Sequence, residues 1–161
     1  MLTNISISSW IKTNRAIGST QARIVNHQES TVKAWGLQIF GDGYSGATGG
    51  DKIAFHSNNC VSAQNLLSLG SISSGSWYHI VAINDGSKLK IYINGKLDNV
   101  SDSLGNNCSS ISAPVVIGKT SQESSFYFPG QIDDVRIYNY PLSTEQIKLL
   151  YNGGSALKFG E

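Results

Sequence analysis

Apolar and polar residues alternate through most of this chain. "ISISSWIK" (Ile5 to Lys12) sets Ile5, Ile7 and Ile11 on one face and Trp10 on the other, the two-residue period of a β-strand. A bulge, or a strand covered on both faces, is needed to house Trp10. "ARIVNH" reads as a short strand, and "KAWGLQIF" (Lys33 to Phe40) puts Trp35, Leu37 and Ile39 on one face. A glycine-rich loop, "GDGYSGATGGD", separates it from "KIAFHS". "WYHIVAI" and "KLKIYI" are joined by "NDGS", and "KIYI" runs through "NGK" into "KLDNVS". Asp-Gly and Asn-Gly supply the positive φ angles of tight hairpins, so a three-strand meander is predicted from Trp77 to about Ser101. "APVVIG" and "QIDDVRIYN" predict two further strands.

The helical period is convincing in one place, about Thr144 to Tyr151. Ser143 is the expected N-cap, Gln146 completes a capping box, and Leu142 and Ile147 occupy the positions of a hydrophobic staple. Ile147, Leu150 and Tyr151 line one face, and Gly153 is placed to close the helix. One short helix against a majority of strands predicts an all-β fold, a two-sheet antiparallel sandwich.

Composition narrows the function classes. A chain of 161 residues suits one domain, 1–161. Twelve basic residues nearly balance eleven acidic ones, and only Lys88 and Lys90 sit close together. No basic stripe for nucleic acid is visible. No run of 18 apolar residues is present for membrane insertion. The start, "MLTNISISSW", lacks the features of a signal peptide. Met1 stands so near a strand that the chain reads as an excerpt or an unusual start. The two cysteines have echoing contexts, "SNNCVS" and "GNNCSS". A Cys60–Cys108 disulfide is the expectation in an oxidising compartment, and two buried free thiols the alternative in the cytosol. Closing that loop is worth about 4 kcal/mol in the chain-entropy picture. Asn4, Asn99 and Asn107 each begin an N-x-S triplet, relevant in a eukaryotic secretory host.

Three stretches together resemble the laminin G-like, or concanavalin A-like, jelly-roll family. They are "ISISSWIKT", "GSWYHIVAINDGSKLKIYINGK" and "FPGQIDDVRIYNYPLSTEQIKLLYN". They stand in the family's order. The resemblance implies a jelly-roll sandwich with Trp10 and Trp77 in its core. Trp35, sharing a face with Leu37 and Ile39, is expected there too. It also implies that an aspartate at the head of the last strand, Asp133 or Asp134, helps hold a structural Ca2+. Asp133 is expected on the face of Val135 and Ile137. Asp42 and Asp51 are weaker metal candidates. Family members usually open with a strand of the type "ALxFxG". Here the similar "SALKFGE" (Ser155 to Glu161) stands at the end. The chain is then either cut from a larger protein or circularly permuted, with an ordered strand expected at Ala156 to Phe159.

Catalysis is not expected. Neighbours on a strand point to opposite faces, so Asp133 and Asp134 cannot act as an acid–base dyad. The alternating ExDxxE arrangement of sandwich glycosidases is absent, and Glu29, Glu123, Glu145 and Glu161 lie far apart. His79, inside an apolar strand, reads as a structural histidine, and no zinc spacing or phosphate loop is present. The resemblance implies instead a non-catalytic, extracellular binding module, most readily glycan-directed. Tyr44, Phe126 and Tyr127 are the expected stacking rings, and Asp42, Asn58 and Asn59 the polar contacts. The alternative is a structural, adhesion or assembly domain that binds protein, with self-assembly through the terminal strand.

Overall fold

The computed structural model describes residues 4–29, 32–57, 65–101, 113–120 and 126–156. Ten strands and one helix follow in order. They are β1 (Ile5–Thr13), β2 (Gln21–Glu29), β3 (Val32–Phe40), β4 (Lys52–Ser57), β5 (Asn65–Leu67), β6 (Tyr78–Asn84), β7 (Leu89–Ile93), β8 (Lys96–Val100), β9 (Val115–Ile117), β10 (Gly130–Tyr138) and α1 (Thr144–Ala156). The strands form two antiparallel five-stranded sheets, β10-β1-β6-β7-β8 and β5-β4-β3-β2-β9. The jelly-roll sandwich read from the sequence is the fold observed.

The core lies between the sheets. Ile5, Ile7 and Ile11 of β1 meet Leu37 and Ile39 of β3, Ile53 and Phe55 of β4, and Ile80 and Ile91 of the meander. Trp35 joins them at 5% exposure, as expected. The meander turns as its glycines dictate. Asn94 (φ 51°) and Gly95 (φ 76°) are both left-handed, which a two-residue hairpin of the right twist requires.

β1 is covered on both faces, which resolves the position of Trp10. Its other face, Ser6, Ser8 and Trp10, lies beneath α1. The Ser6 hydroxyl donates to the Tyr140 carbonyl (2.8 Å) and accepts from the Leu142 N–H (2.9 Å). Trp10 is therefore not between the sheets. It is half-buried against His79 and Tyr151, with ring centroids at 5.2 and 5.8 Å. Trp77 also departs from expectation, being 41% exposed. Tyr78 packs on the core side, so Trp77 projects to the opposite face, at the strand's very start.

The capping box forms as read. The Ser143 N–H donates to Gln146 Oε1 (2.8 Å), and the Gln146 N–H donates to Ser143 Oγ (3.3 Å). Leu142 and Ile147 share a cluster with Val81, Ile83 and Tyr92. The helix does not stop at Gly153 but continues to Ala156. The strand expected from Ala156 therefore does not begin there, and residues 157–161 lie outside the described residues.

Candidate functional site

Four connections meet at one end of the sandwich, which we call the rim. They are the segments β1–β2, β3–β4, β5–β6 and the approach to β10. The Asn14 N–H donates to the Pro129 carbonyl (2.8 Å), and the Gly75 N–H to that of Thr13 (2.7 Å). Gly41 packs so closely on the Gly18 carbonyl that a Cβ there would overlap it, and its N–H donates to Thr20 (2.9 Å). Asp51, 7% exposed, accepts the Ile17 N–H on Oδ2 (2.8 Å), while its carbonyl accepts from Ile72 (2.9 Å). The glycine-rich loop is thus pinned rather than free, and Asp51 is one of its braces.

The structure gathers four of the six expected ligand contacts at this rim. Asp42 is exposed, and its Oδ1 accepts the Gly50 N–H (3.2 Å). Tyr44 is half-buried, edge-on to Phe40 at 5.0 Å, in a small cluster with Ala47, Ala54 and Leu67. Phe126 takes a left-handed φ of 61°, and its carbonyl accepts the Arg23 N–H at the edge of β2 (3.0 Å). Its ring lies under the Arg23 guanidinium, 5.8 Å from the centroid. Tyr127 beside it is 57% exposed. Asn58, Asn59, Cys60 and Cys108 lie outside the described residues.

Register shows what these aromatics border. Arg23 pairs with Gln38, and Gln21 with Phe40. Leu37 and Ile39 of β3 face the core, so Gln38 and Phe40, with Arg23 and Gln21 opposite them, point away from the space between the sheets, and all four are buried there. Tyr44 stands on Phe40 and Phe126 on Arg23, one on each side of the lane formed by Gln21, Arg23 and Gln38. With strands about 4.8 Å apart, the two rings stand roughly 10 Å apart across it. The lane continues to Asn26 and His56. The Asn26 side-chain N–H donates to the Lys119 carbonyl (2.6 Å), while its Oδ1 is buried without a partner among the described residues, as is Gln38 Oε1. Gly36 leaves room for the His56 ring, which a Cβ would strike.

This polar lane was not among the expected site residues. Alternation in "KAWGLQIF" marks Gln38 as opposite in face to Leu37 and Ile39. For β2 no such reading was possible. A register shift between Arg23 and Val25 puts Ile24 and Val25 both in the core, and so places Arg23 and Asn26 on one face three residues apart.

The opening aspartates of β10 behave differently from expectation. β10 shifts register against β1 between Ser8 and Trp10, and Asp134 takes a φ of 48°. Asp133 pairs with Trp10 and so shares its outward face, while Ile132 and Val135, three apart, both pack on the core. Asp133 is thus on the opposite face from Val135, because the bulge at Asp134 resets the alternation. Asp133 Oδ1 accepts the Asp134 N–H (2.7 Å), and Asp134 Oδ1 is paired with Arg136 Nε (2.8 Å). Calcium needs six to eight oxygens, and these two carboxylates alone do not supply them. No group of three or more His, Cys, Asp or Glu is gathered among the described residues.

His79 is structural in its contacts. Ser8 Oγ lies 2.9 Å from His79 Nε2, and both residues are buried beneath the helix. Burial holds the imidazole at about 4, well below its usual 6.5, against a smaller opposing pull from Asp134. No substrate reaches a serine–histidine contact so enclosed.

The family profile of the concanavalin A-like lectin/glucanases superfamily matches residues 2–148. The chain belongs to that superfamily. No curated protein sequence matches it. Among solved structures, this concanavalin A-like domain is similar to a candidate carbohydrate-binding protein from Bacteroides ovatus, with a TM-score of 0.73 at 20% identity. The match covers 91% of this chain and 40% of that one. It is similar to domain 4 of an extracellular GH43 arabinanase from Geobacillus stearothermophilus, solved with arabinotriose (TM-score 0.69, 19% identity, 92% and 66% covered). It is also similar to a heptameric SAP-like pentraxin from Limulus polyphemus (TM-score 0.68, 17% identity, 92% and 70% covered). At these identities the likeness concerns the fold. The chain spans two fifths of the length of the Bacteroides ovatus protein and about two thirds of the arabinanase domain structure.

Proposed function

We propose that this concanavalin A-like domain is a non-catalytic, carbohydrate-binding module of an extracellular protein. Its site is the rim end of the outward face of the second sheet. The observation that carries the reading is the pairing of two aromatic rings, Tyr44 and Phe126, across a lane of amide and guanidinium groups. A pyranose or furanose offers C–H faces for rings to cover and hydroxyls that both donate and accept. The exposed Asp42 carboxylate accepts and the exposed Tyr127 hydroxyl does both, while Gln21, Arg23 and Gln38 are buried and back the site rather than touch the ligand. The likeness in fold to a candidate carbohydrate-binding protein and to an arabinotriose-bound domain supports the same ligand class.

The test is titration calorimetry with neutral oligosaccharides, arabino-oligosaccharides included. A site with few anchors is expected to bind in the micromolar to millimolar range, about −8 to −4 kcal/mol. Tyr44→Ala and Tyr127→Ala should each weaken binding about tenfold, about 1.4 kcal/mol, and leave the fold intact. No sugar should be released on long incubation. A folded protein that binds none of a broad panel sinks the proposal.

A further inference from the structure

One tryptophan is accounted for neither by the core nor by the rim. Trp35 is buried between the sheets and Trp10 is half-buried against Tyr151, but Trp77 is 41% exposed. An indole carries a large apolar face, and leaving much of it in water forgoes the stabilisation that burial supplies. Helix α1 covers the neighbouring part of the same outward face. Its Ile147 packs with Val81, Ile83 and Tyr92, and its Tyr151 reaches Trp10, His79 and the Gly95 turn. Trp77 stands on that face two residues before His79 and remains exposed.

Register surrounds this ring with polar groups. Trp10 pairs with His79 on one side and with Asp133 on the other. Trp77 is therefore the diagonal neighbour of Trp10, roughly 7 Å away. Ile11 pairs with Tyr78, and Lys12 pairs with Gln131. One further step of the ladder sets Lys12 between Trp77 and Gln131. Gln131 and Asp133 are exposed, and Lys12 is half-buried. The Asp134 N–H, donating to Asp133 Oδ1 (2.7 Å), steadies the Asp133 carboxylate. The ion pairs among the described residues are Asp85–Lys90 and Asp134–Arg136, so Lys12 and Asp133 belong to neither. One ammonium and one carboxylate leave the patch without net charge.

We propose that this patch is a second sugar-binding site, on the outward face of the first sheet. The Trp77 indole covers the C–H face of a neutral sugar ring. Gln131 donates to and accepts from its hydroxyls, Lys12 donates and Asp133 accepts. A single indole presents at most roughly 250 Å2, well short of the roughly 800 Å2 that each partner gives to a stable protein interface. The occupant is therefore small. It is also neutral, because Asp133 repels an anion and Lys12 a cation. The site shares its ligand class with the rim reading above but none of its residues, so the two stand or fall separately. Two sites on opposite faces of one domain let it hold a polysaccharide at two points, which raises avidity without new contacts at either.

The indole N–H signals of the three tryptophans in a proton–nitrogen correlation spectrum test this. Neutral oligosaccharides, arabinotriose included, are titrated to about 10 mM. The Trp77 signal, assigned through Trp77→Phe, should shift saturably with at least one of them, and equally in Tyr127→Ala. Gln131→Ala, at an exposed position, should weaken that response about fivefold, the loss of one hydrogen bond, with an unchanged melting temperature. A Trp77 signal that no sugar moves overturns the inference. So does one that stops responding in Tyr127→Ala, because the rim alone would then explain it. An undiminished response in Gln131→Ala overturns it as well. A shift that follows protein concentration without sugar marks contact between copies and also overturns it. If Trp77 responds and Tyr127→Ala alters no binding at all, the inference stands and the rim reading falls.

Discussion

The two outer faces of this sandwich solve opposite problems. The face of the first sheet carries Val81, Ile83 and Tyr92, buries them under Leu142 and Ile147, and stacks Trp10, His79 and Tyr151 beside them. The face of the second sheet carries Gln21, Arg23, Asn26, Gln38 and His56, each at most 9% exposed although no described helix packs on them. Apolar groups on a sheet face must be covered, and the cover contributes stability. A buried polar face gains little from its cover and must find hydrogen-bond partners for its donors and acceptors. One face is thus closed by apolar packing and the other is polar, with the exposed Asp42 and Tyr127 at its rim end.

The sharpest way to break that comparison is to damage the helix-covered face. Ile147 is fully buried in its cluster. Ile147→Ala is expected to cost about 3 kcal/mol in urea unfolding, within the usual 2–5 for such deletions. Oligosaccharide affinity should be unchanged wherever the protein remains folded. A loss below about 1 kcal/mol would show that the helix is not part of the stabilising core.

Acid should weaken the same face next. His79 is held near 4 in the folded protein by burial, against about 6.5 unfolded. The unfolded chain then binds more protons between those values, so stability is full above about pH 6.5 and falls as pH drops toward about 4. The drop from this one group reaches roughly 3 kcal/mol. Asp134 and Arg136 act on the same ring with opposite signs, so the size is read from His79→Gln. That variant should flatten the pH dependence between 6.5 and 4. An equal slope in wild type and variant would remove His79 as the cause.

The contrast between the faces also explains what could be read in advance. The helix-covered side announces itself locally: Ser143 and Gln146 three apart, Leu142 and Ile147 five apart, and a meander punctuated by Asp85-Gly86 and Asn94-Gly95. Strict alternation located β3, and with it the burial of Trp35. Reading failed where alternation is broken by a bulge. The shift after Arg23 and the one at Asp134 each move a charged side chain to a face that period two does not give. Trp77 was misplaced for a different reason. It precedes β6 with outward parity, and a tryptophan beside an apolar run carries no mark of which side the run will bury. The rim itself was legible only in part. Asp42 and Tyr44 lie in the β3–β4 loop and Phe126 and Tyr127 on the approach to β10, segments distant in sequence that the strand order brings to one end.

The smallest effect is expected from Gln38. Gln38 is 2% exposed, and its Oε1 has no hydrogen-bond partner among the described residues. A buried acceptor left unmade costs about 1–3 kcal/mol, and replacing it by an apolar group of similar size removes that cost. Gln38→Leu should therefore leave stability unchanged or raise it by about 1 kcal/mol. Oligosaccharide affinity should be unchanged, because a side chain this buried does not touch a ligand at the rim. Should Gln38→Leu destabilise the protein by more than about 1 kcal/mol, the glutamine belongs to the folding side of the ledger. The division of labour between the two faces would then be redrawn with the second sheet also serving the core.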